Sequence, residues 1–132
     1  MSFSTARRDI EQRLTDNWAT TVIAYDNVDF DPPPNQYWVR LRIFEDTANR
    51  INIGTPGVHR IAGSIIVELF GPLNQGTQTI RSYADTISEI FRDQQFNGIT
   101  CREAIPTNVG ETGGWYKYDV SIPFFYDGRY ST

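Results

Sequence analysis

Two stretches of alternating polarity constrain this chain more than any other feature. From Tyr37 to Glu45 the side chains divide by parity: Tyr37, Val39, Leu41 and Ile43 on one side, Trp38, Arg40, Arg42 and Phe44 on the other. From Arg60 to Phe70, Ile61, Ile65, Val67 and Leu69 again share a side, opposite Arg60, Ala62, Ser64, Ile66, Glu68 and Phe70. A period of two puts successive side chains on opposite faces of a pleated strand, so both segments predict long strands. Asp46 to Gly57 between them is polar and carries Gly54 and Pro56-Gly57, which reads as a long loop at the tip of a β-hairpin.

The remaining elements follow from spacing. Phe3, Ala6, Ile10, Leu14 and Trp18 recur at helical intervals, with Ser4 or Thr5 as cap and Asp16-Asn17 as the end. Val22 to Tyr25 reads as a short strand, and Asp26 to Gln36, with Pro32-Pro33-Pro34, as an extended linker. After Gly71-Pro72, Asn74 or Thr77 opens a second helix. Ile80, Tyr83, Ala84, Ile87, Ile90 and Phe91 form its apolar stripe, with Arg81, Asp85, Ser88, Glu89 and Arg92 outside. Asn97-Gly98 marks a turn, Ile99 to Ile105 a strand and Pro106 to Gly114 a loop. A last strand runs from Trp115 to Tyr126 with Tyr116, Tyr118, Val120, Ile122, Phe124 and Tyr126 on one face. Pro123 inside it suggests an edge position or a bulge. The prediction is α+β: two helices packed on a mainly antiparallel sheet of about five strands, in the order α-β-β-β-α-β-β.

The second face of that sheet is the informative part. Trp38, Phe44, Ile66, Phe70, Trp115 and Phe125 fall opposite the core face, mixed with arginines. A sheet with one wet side alternates to polar residues there instead. Two readings stay open: the first helix covers this face, or it is exposed as an interface.

Composition narrows the class. The chain has 132 residues, 39% of them hydrophobic and 21% charged, which suits one folded domain over 1–132. A formal charge of −4 disfavours a domain that grips nucleic acid, although an acidic wall can line a passage through which DNA slides. Cys101 is the one cysteine, so no internal disulfide forms. The first residues lack a signal-peptide pattern, and the run from Ile65 to Phe70 is too short to span a bilayer. These features lead us to expect folding in a cytoplasm and no membrane partner.

Searches for chemistry return decoys. Gly71 to Thr77 has strand, glycines and helix in the order of a phosphate-binding loop, but Thr77 stands where that loop needs lysine. Asp26, Asp29 and Asp31 suggest a calcium loop until the three prolines replace its geometry. His59 is the only histidine, and neither it nor Cys101 lies in a nucleophile motif. The aromatic clusters at Trp115–Tyr118 and Phe124–Tyr126 lack the pattern of an RNA-binding strand. We expect no catalytic residue, no metal ligand and no cofactor.

Three segments carry a family resemblance: Arg60-Ile-Ala-Gly-Ser-Ile-Ile-Val-Glu-Leu-Phe-Gly-Pro-Leu-Asn-Gln-Gly76, Tyr83-Ala-Asp-Thr-Ile-Ser-Glu-Ile-Phe91, and Trp115-Tyr-Lys-Tyr-Asp-Val-Ser-Ile-Pro-Phe-Phe-Tyr126. In order they resemble the long strand with its glycine turn, the second helix and the closing strand of phage tail terminator proteins, also called tail completion or head–tail joining subunits. The Asp26–Gln36 stretch departs from that pattern. The resemblance implies a virion structural protein, assembled in the host cytoplasm, that forms a homo-oligomeric, six-membered ring on the tail tube protein. The ring would stop tube growth, face a head connector or neck protein, and let DNA pass through without specific binding. The hairpin tip (Thr47, Asn49, Arg50, Ile51, Asn52 and Thr55) is then assigned to contact with a neighbouring ring. Arg40, Arg42 and Arg60 are assigned to salt bridges with Asp85, Glu89 or Asp93 of an adjacent subunit. Another neck or head-completion protein is the alternative within this class, and a small ligand-binding or enzymatic α+β domain the alternative outside it.

Overall fold

Both helices form where the apolar spacing put them, and both lie on the same side of one sheet. The computed structural model describes residues 3–54 and 57–130. Helix α1 (Phe3–Asn17) buries Ala6, Ile10 and Leu14, one residue per turn, and Trp18 closes the stripe. Ser4 and Thr5 lie inside its first turn, not at a cap. Helix α2 (Gln78–Phe91) buries Ile80, Ala84, Ile87, Ile90 and Phe91. Thr77 occupies its N-cap without a side-chain capping bond. Ser88, expected outside, is buried instead, because its hydroxyl donates to the Ala84 carbonyl at 2.8 Å and so carries its own partner inward. Arg13 of α1 donates from Nε to the Ile90 carbonyl at 2.8 Å, supplying a donor and a positive charge at the end of α2.

The strands are β1 (Val22–Ala24), β2 (Trp38–Arg50), β3 (Gly57–Gly71), β4 (Gln95–Phe96), β5 (Ile99–Cys101), β6 (Ile105–Thr112) and β7 (Trp115–Tyr130). They make a seven-stranded sheet in the order β1-β2-β3-β7-β5-β4, with β6 also paired to β7. Only β1 runs parallel to its neighbour; the other pairings are antiparallel. The α+β class holds, but the sheet is larger than about five strands and its order differs.

Each correction has a local cause. The expected loop from Asp46 to Gly57 begins as strand: β2 runs on to Arg50 and stays paired with β3 out to His59, and its outer side chains are all exposed, so their polarity no longer reports pairing. The expected strand Ile99–Ile105 divides, since β5 leaves the sheet after Cys101 and β6 begins at Ile105. Pro106 to Gly114 is not a loop. It contributes β6, an almost wholly exposed edge strand joined to β7 through Gly113-Gly114, both at positive φ as a tight hairpin turn requires. Pro123 lies in a central strand, between β3 on one side and β5 and β6 on the other. Its carbonyl accepts from the Arg102 N–H at 2.8 Å, so its backbone nitrogen faces the gap where the chain passes from β5 to β6. A missing donor costs nothing there.

The main core lies between the helices and the face carrying Val39, Leu41, Ile65, Val67, Leu69, Val120, Ile122 and Phe124, all 2% exposed or less. Tyr126 and Cys101 close its lower end. Burial pushes the Cys101 thiol up to about 12, with Arg13 only partly opposing it. At pH 8 roughly one thiol in 10⁴ is then ionised. Maleimide should therefore leave the native protein unlabelled and react promptly in denaturant; native labelling near the denatured rate would mean that β5 does not seal the thiol.

Candidate functional site

Helix α1 packs on the core face, so the second sheet face takes no helix. Its upper part is closed by the proline-bearing linker instead. Phe30 reaches back to Trp38, ring centroids 5.0 Å apart, and Trp38 stacks on Phe70 at 4.1 Å with Trp115 edge-on. Trp38, Phe70 and Ala24 are buried in this small second cluster. The linker is anchored by Asp26, which accepts from Arg7 at 2.6 Å, and by the contact between Tyr25 and Thr15 hydroxyls.

Below that cover, the strand register builds transverse rows. One row is Arg40, Glu68 and Asp119; the next is Arg42, Ile66 and Ser121. Glu68 is only 6% exposed and pairs with Lys117 Nζ at 2.5 Å, and the same ammonium reaches Asp119 at 3.5 Å. Burial opposes the charge on Lys117, but Glu68 and Asp119 outweigh it and raise its pKa. Burial also raises the Asp119 carboxyl, and the Glu68 charge reinforces this against the pull of Lys117 and Arg42. A raised carboxyl makes the folded state bind its proton more tightly than the unfolded state, so the ionised form opposes folding. Asp119→Asn is expected to raise the thermal midpoint at pH 7, with the gain fading as pH falls through the raised Asp119 pKa. A midpoint lowered at pH 7, with the loss fading as pH falls, would mean the Lys117 contact dominates instead.

The arginines are held differently. Arg40 lies over the Trp38 ring and Arg42 over Phe44, at 5.4 and 5.0 Å to the centroids, which orders both guanidiniums. Neither makes a salt bridge among the described residues. Together they line a groove of about 400 Å³ with Tyr25, Asp26, Val28 and Asp29. Arg60 stacks on Phe125 at 4.4 Å and forms a two-point bond to Asp127, at 2.9 and 3.2 Å, which holds that carboxyl below its usual range. It shares the face of Arg40 and Arg42 but sits six residues down β3 from the Arg42 row, roughly 20 Å away.

Asp85, Glu89 and Asp93 are exposed on α2 and just past its end, on the opposite side of the sheet from the arginines. They have no ion partner among the described residues. Within one chain the two sets cannot meet.

The hairpin tip is a third surface. Thr47, Asn49 and Arg50 are exposed on the outer arm of β2. Arg50 clasps the tip, donating from Nε to the Asn52 carbonyl at 2.7 Å and from a terminal nitrogen to the Gly54 carbonyl at 2.5 Å. The Asn52 side chain accepts from the Val58 N–H at 2.6 Å. This holds Ile51 half exposed and Ile53 completely so, at 102%. Thr55 lies outside the described residues. The sequence reading missed Ile53, and missed Phe30 as the cover of the second face. An isoleucine between Asn52 and Gly54 in a polar stretch was the available signal for the first; a single aromatic ahead of the prolines was the signal for the second.

Comparison with known proteins adds to this geometry. A family model described as phage tail terminator protein matches residues 7–124. A solved structure superposes with a TM-score of 0.70 at 20% sequence identity, covering 96% of this chain and 96% of its own. Identity that low speaks for the fold alone. No curated protein matches the sequence.

Proposed function

Because the chain belongs to the phage tail terminator family, a family of structural tail proteins, we propose that its 132 residues act as one ring-forming domain that caps the tail tube and joins it to the head connector. One observation carries the reading beyond the family: Arg40 and Arg42 on the sheet side, and Asp85, Glu89 and Asp93 on the helix side of the same layered molecule, make no salt bridge among the described residues. Complementary patches on opposite sides of a protomer make heterologous contacts, and these close into a ring when the rotation between neighbours divides a full turn. Arg40, Arg42 and Arg60 meet Asp85, Glu89 and Asp93 of the next subunit, with Arg40 and Arg42 leading because Arg60 is engaged by Asp127.

The count of six rests on the family resemblance. The hairpin tips, from Thr47 through Arg50, Ile51 and Asn52 to Thr55, face the adjoining ring of the tail, and DNA passes through the centre without specific contacts. The protein works in the virion after assembly in the host cytoplasm. Light scattering over a concentration series, with electron micrographs of the same fractions, tests this. A discrete hexamer with a central hole is the expected result. A monomer at every concentration that also adds no ring to tail ends would overturn the reading.

A further inference from the structure

We infer that Ile53 is the anchor by which the hairpin tip grips the tail, and that its receptor is an apolar pocket with a carboxylate rim on the tail-end subunit. The inference deepens the capping reading above and rests on it.

The arm that carries Ile53 is built to project it. β2 and β3 run past the core as a paired ribbon, and beyond the ribbon's end the loop is closed from within by the Arg50 and Asn52 bonds. The Ile51 N–H also donates to the Val58 carbonyl at 2.8 Å. Residues 50–54, held by these bonds before contact, lose little conformational freedom on binding, which is where loops usually forfeit affinity. At the tip stands a β-branched side chain with few rotamers to lose, 102% exposed. An isoleucine so exposed buries little apolar surface in its own chain, and a partner's pocket would bury it.

Charge specifies the rim. From Thr47 to Arg60 the arm contains Arg50 and Arg60 and no acid. Nε and one terminal nitrogen of Arg50 are spent on the loop's own carbonyls, and the other terminal nitrogen, which lies over Gly57, has no hydrogen-bond partner among the described residues to compete with a partner's carboxylate. An apolar knob beside a cation fits a small apolar pocket bordered by acid, with the knob as the residue whose loss is felt most.

The test uses labelled full-length protein and, as probe, tails purified from a phage lacking its copy of this gene. Co-sedimentation measures binding to the tails, and light scattering measures ring formation on the same samples. Ile53→Asp should leave the ring intact and weaken tail binding on the order of thirty-fold or more, whereas Ile53→Leu should bind within a few-fold of the parent. Equal tail binding by Ile53→Asp and the parent would overturn the inference. So would loss of the ring in Ile53→Asp, because the tip would then contact another copy of this chain. If the parent binds tails as a monomer and Ile53→Asp still loses that binding, the anchor stands and the ring reading falls. A parent that does not bind tails at all removes both.

Discussion

Gly63→Ala is expected to cost about 3 kcal/mol of stability or more and to lower the thermal midpoint by roughly 10 °C, the largest loss available from adding one methyl group to this chain. Glu45 pairs with Gly63 and Thr47 with Ala62, so Asp46 is an extra residue and β2 bulges over Gly63. A Cβ on Gly63 would land on the Phe44 carbonyl oxygen and against the Glu45 Cα. Both are backbone atoms inside a paired strand, and no rotamer change can move them aside. The sheet would have to open, or the bulge would have to shift and turn every outer residue of β2 to the opposite face. Because the bulge sets the direction of the outer arm, a surviving Gly63→Ala protein should also misplace the tip. Ser64→Ala, one position along on the other face, serves as the control and should stay within about 0.5 kcal/mol of the parent. Circular dichroism melts check this; a midpoint for Gly63→Ala within a degree or two of the parent would mean that β2 does not bulge over Gly63.

The sequence made the core legible because burial on one face enforces alternation. Val39, Leu41, Ile65, Val67, Leu69 and the even-numbered residues from Val120 to Tyr126 were placed on the correct side by parity, and the stripes of α1 and α2 by helical spacing. Where that constraint lapses, so did the reading. The outer arm of β2 and the whole of β6 have no buried face, so nothing in their polarity separates strand from loop. In β6 the turn chemistry of Gly113-Gly114 was the better guide than the polar run before it. Pro123 misled for a different reason. Proline is excluded only where its backbone nitrogen would have a ladder partner, and a central strand flanked by two short neighbours can leave one position without.

The second face was half legible. Its mixture of aromatics and arginines was visible at once, but its cover was not. Trp38 and Phe70 take theirs from Phe30, and a linker's path over a sheet leaves no periodic trace. Nor does sequence alone tell Arg60 from Arg40 and Arg42. All three alternate correctly, and Arg40 even lies opposite Glu68, but that carboxylate is taken by Lys117, so of the three only Arg60 is salt-bridged among the described residues, to Asp127.

That difference decides how the ring should respond to charge. Arg40→Glu combined with Arg42→Glu is expected to abolish the ring at concentrations where the parent is assembled. Like charges placed across an interface cost several kcal/mol, and a ring repeats the penalty at every contact. The same prediction holds for Asp85→Arg combined with Glu89→Arg, on the other side of the protomer. A single reversed protein that fails to assemble proves little, since the Arg40 and Arg42 stems pack on Trp38 and Phe44 and their loss disturbs the sheet. Mixing the two variants removes that ambiguity. The acidic sheet face of the first meets the basic helix face of the second, and the opposite contact is of the parental kind, so an alternating ring satisfies every interface. Such a ring closes only with an even number of subunits, which six provides. Light scattering should therefore find monomers in each variant alone and rings of the parental mass in the equimolar mixture. Mixtures that stay monomeric while both variants melt like the parent would mean that these two faces do not meet. Rings that form in both variants separately would mean that charge on these faces does not hold the subunits together.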